Sequence, residues 1–212
     1  MNDGAINGWL ASSGRDKDIA IEGGINDLGL LIHEKSDINS ISIVGTRCGV
    51  MIRAPCNIGT VLIEEFFGDG ILVCSSDVTF DYVEIRMRRV GIPYEELHGD
   101  GFQFIGIGSD GRPDSTVVLS NIVIKHLVIY TPKIEGLYEG VQGVFGGDCI
   151  VEGLVIEKYG SMTDVQEHGI TLNTPINCRI GNGVCAPINM PYKVGISLRD
   201  RKGYGDGYGN VV

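Results

Sequence analysis

The sequence predicts an all-β solenoid, a parallel β-helix of about seven coils, and three observations predict it. Glycine makes up 32 of 212 residues with no three-residue period, which excludes collagen and describes a chain of frequent sharp bends. A glycine followed by alternating residues recurs at Gly29 to Ile32, Gly49 to Ile52, Gly70 to Val73, Gly101 to Phe104, Gly140 to Gly143, Gly169 to Leu172 and Gly195 to Leu198. An apolar-x-apolar triplet precedes most of these, at Ile41 to Ile43, Val61 to Ile63, Val83 to Ile85, Leu127 to Ile129, Leu154 to Ile156 and Cys178 to Ile180. Strands this short cannot bury a face alone, but stacked coils share one interior. The consensus leucine spacing and helical segments of a leucine-rich repeat are missing. A sandwich or barrel would need hairpin turns between adjacent strands, whereas here the same pattern returns.

The elements follow in order. Residues 1–18, with Trp9, read as an N-terminal cap or arm, residues 19–198 as the parallel β-helix domain, and residues 199–212 as a Gly/Tyr-rich tail. The anchoring glycines lie 20, 21, 31, 39, 29 and 26 residues apart, a coil of about 20 with insertions from the fourth coil onward. From triplet to glycine the gaps are 6, 7, 16, 11, 13 and 15 residues, so one corner carries the long loops. Insertions on one face of a repeat protein commonly form its binding surface.

Length and composition bound the function. The chain is long enough for one domain with a real core. Its net charge of −10 repels phosphate and anionic lipid, so nucleic acid and membrane are not expected partners. No apolar run reaches the ~18 residues of a membrane span, and Met1-Asn2-Asp3-Gly4 opens no secretory signal. Six cysteines show no CxxC pair and read as buried thiols. No metal cluster and no cofactor are expected; Ser109-Asp110-Gly111 is at most a weak calcium loop.

Stacking turns sequence columns into lines in space, with successive coils ~4.8 Å apart. Alternation sends the first and third residues after each glycine inward, and the second outward: Leu31, Met51, Leu72, Gln103, Gln142, Thr171 and Ser197. The apolar part of that line is expected under the N-terminal arm or a partner subunit, and the polar part suits a hydroxyl-rich ligand. The residue just before each glycine reads Leu28, Cys48, Asp69, Asp100, Glu139, His168 and Val194. Like charges one coil apart raise at least one pKa, which keeps a general acid protonated near neutral pH. Carboxyl groups one or two coils apart span the separations of retaining and inverting glycoside hydrolysis. Against this stands the local use of Asp-Gly and Glu-Gly as turns whose carboxylates bond nearby backbone amides.

The run Leu97-His98-Gly99-Asp100-Gly101-Phe102-Gln103 resembles the His-x-Asp-Gly-aliphatic-Gln segment of pectate-lyase-like β-helix proteins and the Asn-Thr-Asp-Gly segment of polygalacturonase-like glycoside hydrolases. In later coils Tyr138-Glu139-Gly140 and Glu167-His168-Gly169 stand where that group has an Asp-Asp pair and a Gly-His-Gly. The resemblance implies a single-stranded right-handed parallel β-helix of phage tailspike type. It also implies acid and base roles for Asp100 and Glu139, with His168 orienting a carboxylate and Asp69 beside them. The family's Asn-Thr, Asp-Asp and Arg-Ile-Lys elements are replaced here, the last by Lys193-Val194.

The expected substrate-binding set is His98, Gln103, Gln142, Arg86, Arg88, Tyr138, Glu167 and Lys193. Arg86 and Arg88 suit a uronate- or sialate-bearing polysaccharide, since guanidinium pairs carboxylate bidentately; the competing reading makes them solvated charges balancing neighbouring glutamates. The expectation is therefore a polysaccharide-binding protein with glycoside hydrolysis or lyase chemistry on the inserted-loop face. It would be virion-borne or extracellular, with the cytoplasm as the alternative place, and homo-oligomeric, trimeric by resemblance. The alternative is a non-catalytic virion or surface protein for assembly or receptor binding.

Overall fold

Alternation of β-branched and polar residues gives each segment one apolar face, and each such face is completed by the next repeat rather than by a hairpin partner. The computed structural model describes residues 17–24, 27–64, 68–86, 100–130, 143–163, 170–183 and 196–199. Among these there are strands and no helices. One sheet runs β1 (Asp18–Glu22), β3 (Ser36–Val44), β5 (Cys56–Glu64), β7 (Val78–Arg86), β10 (Ile122–Tyr130), β13 (Val155–Thr163) and β16 (Arg179–Gly183). A second runs β2 (Leu28–Ile32), β4 (Cys48–Ile52), β6 (Ile71–Val73), β8 (Phe102–Ile105), β11 (Val144–Asp148), β14 (Ile170–Asn173) and β17 (Ile196–Arg199). A third, smaller sheet joins β9 (Val118–Ser120), β12 (Ile150–Glu152) and β15 (Pro175–Ile176). Neighbouring strands within each sheet are parallel, and the chain visits another sheet between them, which is consistent with a β-solenoid.

The long strands of the first sheet carry a bend. In β3 the buried residues are Ser36, Ile38, Ile41 and Ile43, so Asn39 and Ser40 face outward in succession and split the strand into two inward pairs. The strands β5 and β7 repeat this pattern. Inward columns follow, Ile38–Ile58–Phe80–Ile124–Ile156 and Ile43–Ile63–Ile85–Ile129, each member at most 4% exposed. Burying such a side chain contributes about 1.5–3 kcal/mol. Phe80 bridges to the second sheet, its ring edge-on to Phe102 at 5.4 Å, and Phe102 meets Phe104 at 5.2 Å.

The anchoring glycines are required by close approach. A Cβ on Gly29 would strike the Gly49 carbonyl, and one on Gly49 would strike the Gly70 carbonyl and lie 2.7 Å from Ile63. On Gly101 it would lie 2.8 Å from the Gly143 carbonyl and 3.0 Å from Ile129. The strand lies so close to its neighbour and to the isoleucine column that no side chain fits.

A second recurring device turns the corner into the long strands. Asp77, Asn121 and Asn177 take left-handed φ values of 58°, 55° and 51°, and Gly153 stands at the matching place with 64°. Asp and Asn tolerate this conformation better than other side chains. The Asn121 amide also donates to Asp77 Oδ1 at 2.9 Å, tying one corner to the next.

Three expectations are corrected by the register. Val144 pairs with Phe102 and the Phe102 N–H bonds the Gly143 carbonyl, so the anchoring glycine of that repeat is Gly143, not Gly140. The spacing had matched an earlier Gly that begins the same short pattern. Ile156 pairs with Ile124 and Ile180 with Ile156, so Leu154 to Ile156 and Cys178 to Ile180 align with the first inward pair of the long strand, not with Leu127 to Ile129. The bend produces two similar triplets per strand, and the two had been merged. The polar part of the outward line is also not open to a ligand, since Gln103 and Thr171 are only 8% and 1% exposed; in the apolar part Leu31 and Met51 are half-buried and Leu72 is 7% exposed. That face of the second sheet is covered. Residues 1–16 of the arm, 200–212 of the tail and the joining segments 87–99, 131–142, 164–169 and 184–195 lie outside the described residues, while Asp18 begins β1 and Arg199 ends β17.

Two mutations test this account of the core. Gly49→Ala should lower stability by about 1–3 kcal/mol through overpacking. Phe80→Ala should cost about 3–5 kcal/mol, near 10 °C in Tm. Calorimetric unfolding reads both, and a neutral Gly49→Ala would refute the close-approach explanation.

Candidate functional site

Asp69 and Asp100 are placed by the second sheet. Ile71 pairs with Phe102, so the residues two before them stand side by side, with Cys48 next in the same file. The Asp100 N–H donates to Asp69 Oδ1 at 2.9 Å, and the Gly70 N–H bonds the Asp100 carbonyl at 2.9 Å. Asp69 is half-buried and Asp100 fully buried. Burial drives the Cys48 thiol far above its ordinary pKa, and the Asp69 carboxylate beside it adds to the rise. A thiol in that setting stays protonated and does not act as a nucleophile. Asp69 thus performs the backbone bonding set against the catalytic role, and Asp100 is fully buried.

The file continues differently from the sequence expectation. Because Gly143 is the anchor, the residue preceding it in sequence is Gln142 and not Glu139, and both lie outside the described residues. Val144 pairs with Ile170 and Ile170 with Ile196, so the register itself continues along this sheet. Glu139, His168, His98, Gln142, Arg88, Tyr138, Glu167 and Lys193 themselves lie outside the described residues. Phe145, not Gln142, is the register partner of Gln103.

Arg86 belongs to the outer face of the first sheet. Its Nε lies 2.6 Å from Glu84 Oε1 and 3.5 Å from Glu64, and its guanidinium stacks 5.3 Å over the Tyr130 ring. The Tyr82 hydroxyl donates to Glu84 Oε2 at 2.7 Å, and the Tyr82 ring meets His126 edge-on at 5.2 Å. The hydrogen bond to Glu84 pushes the Tyr82 phenol up to about 12. The same bond, joined by Arg86, holds the Glu84 carboxyl below its ordinary range. Arg86 therefore balances neighbouring glutamates. Further along the sheet, Lys125 pairs with Asp81 at 2.6 Å.

Among the described residues no disulfide joins the cysteines, and no three His, Cys, Asp or Glu side chains converge as metal ligands. Burial raises the Cys56 thiol to about 12 and the Cys74 thiol to about 11. The sequence reasoning passed over two outward columns of the first sheet, Asp37–Asn57–Thr79 and Asn39–Gly59–Asp81. Their signal was the Asp/Asn-rich stretch just upstream of each triplet, legible only once the strand is known to bend there.

These features define an all-β protein of stacked parallel sheets, with a carboxyl pair on one sheet and a polar outer face on another. Set against known proteins, the chain matches no family model, no curated protein and no solved structure.

The Glu84 cluster makes a pH prediction. A carboxyl whose pKa is depressed by folding contributes stability above its ordinary range and loses it as pH falls through the folded value. Thermal unfolding between pH 6 and pH 2.5 should therefore show a smaller acid-induced drop in Tm for Glu84→Gln than for wild type. Equal slopes would remove Glu84 from the account.

Proposed function

We propose that the chain is a right-handed parallel β-helix of about seven coils that binds a polysaccharide on the face carrying the inserted loops, with Asp100 as general acid for its cleavage. The observation that carries this reading is the Asp69–Asp100 pair just before two adjacent strands, with Asp100 withdrawn from solvent and the Asp69 carboxylate on its backbone amide. The rung spacing of ~4.8 Å keeps both groups within the range used in glycoside hydrolysis. The resemblance of the His98 to Gln103 segment to pectate-lyase-like proteins supports the same reading. The register makes Gly143 and not Gly140 the anchor of its repeat, so the second catalytic group is taken as Asp69 or His168.

A second reading is favoured by a specific contact. Asp69 accepts the Asp100 backbone amide, a structural use of a carboxylate, which suits a non-catalytic surface or virion protein that binds glycan without cleaving it.

Reducing-end release and unsaturated-uronate absorbance over a panel of polysaccharides separate the two. The first reading expects product from at least one polysaccharide and a loss of about 10²–10⁴-fold in Asp100→Asn that still unfolds cooperatively. Binding without product supports the second reading, and neither binding nor product overturns both.

A further inference from the structure

The outer face of the first sheet contains a groove of about 310 Å³ lined by Asp37, Asn39, Asn57, Gly59, Thr79 and Asp81. From this groove we infer a second carbohydrate site, built to hold one uncharged sugar unit and separate from the Asp69–Asp100 corner. Its origin is the strand bend. Asp37, Asn57 and Thr79 form one column and Asn39, Gly59 and Asp81 the other, straddling the inward Ile38, Ile58 and Phe80. The middle of the second column lacks a side chain, because a Cβ on Gly59 would come within 2.5 Å of the Asn39 carbonyl. Asn39 and Asp81 thus flank a gap one rung deep on either side, ~4.8 Å per rung, about the width of a pyranose ring.

The polar groups around the gap are already oriented. Asn57 Nδ2 donates to Asp37 Oδ1 at 2.7 Å, Asn39 Nδ2 to Asp18 Oδ1 at 2.8 Å, and Lys125 Nζ holds Asp81 at 2.6 Å. Each side chain keeps hydrogen-bonding capacity beyond the bond named, since an amide has two N–H donors and an acceptor oxygen and a carboxylate has several lone pairs. Groups held by their neighbours lose little freedom when a ligand arrives. The volume sits at the small end of ligand sites, about 300–1,000 Å³, enough for one sugar unit rather than an extended chain.

Charge selects among hydroxyl-rich ligands. Asp37 and Asp81 outweigh Lys125, so a uronate or phosphate is repelled while sugar hydroxyls donate to the carboxylates. A shared metal ion is excluded by distance: Asp37 and Asp81 are two rungs and two residues apart, about 12 Å along the sheet, whereas calcium oxygens lie at about 2.3–2.6 Å.

Amide chemical-shift mapping on the full chain tests the site, with maltohexaose, cellohexaose and chitohexaose as neutral probes and oligogalacturonate as the charged control. The expected result is that a neutral probe shifts amides centred on residues 37–39, 57–59 and 79–81. Asn57→Leu should weaken that binding about tenfold, and Thr79→Val serves in its place if Asn57→Leu fails to fold. The inference is overturned if no neutral probe shifts these amides, if shifts centre on residues 100–104, if oligogalacturonate binds here more tightly, or if the folded variant binds as wild type does. These readouts are independent of product release, so failure here and failure of the proposed function remain distinguishable.

Discussion

The close approach of glycine backbones in the second sheet is the constraint on which the rest of the structure depends. Gly29, Gly49 and Gly101 stand where a methyl group would collide with the carbonyl of the next strand and with an isoleucine of the first sheet. Removing the side chain lets Ile43, Ile63 and Ile129 fill the space between sheets without a void. The cost is backbone entropy, since glycine loses more freedom on folding than any other residue. Repetition offsets it, because each inward isoleucine or phenylalanine packs against the strand before and the strand after. The same approach sets the site. With no side chain at Gly70 and Gly101, the residues preceding them are brought side by side, and the Asp100 amide reaches the Asp69 carboxylate.

Corners and strands divide the work of the polar groups. Left-handed Asp77, Asn121 and Asn177 turn the chain, and the Asn121 to Asp77 bond passes from one corner to the next. Charged residues on the described strands stand mainly on the outer face of the first sheet, where Glu64, Glu84, Arg86, Asp81 and Lys125 pair across strands. Exposed pairs of this kind contribute little individually. Their value lies in holding side chains in fixed positions on a flat surface, as the aromatic contact of Arg86 with Tyr130 shows. Among the described residues these pairs form an ordered array on the outer face of the first sheet.

Burial separates chemistry from architecture at the carboxyl pair. Asp100 is withdrawn from solvent, Asp69 is engaged by backbone, and Cys48 beside them is held protonated. Burial beside a bonded carboxylate is found both in a general acid and in a buried structural group. The two uses differ in whether a substrate reaches the group, which is why product formation rather than geometry divides them.

The sequence by itself determined the strand class, the parallel repetition and the inward residues, because alternation and glycine spacing are local signals that one chain carries whole. It also placed Asp69 beside Asp100, despite the insertion between them, since the glycine before each strand fixes the register. Tertiary structure alone decided the rest. Gly140 and Gly143 begin equally plausible strands on paper, and only the pairing of Val144 with Phe102 selects Gly143. The bend at Asn39 and Ser40 was hidden because two similar triplets sit in one strand, and their alignment depends on which partner they bond. Burial of Gln103 and Thr171 was equally invisible, since a period of two says which way a side chain points and nothing of what lies over it. Register and coverage are relations between distant segments, so they become fixed only when the strands stack.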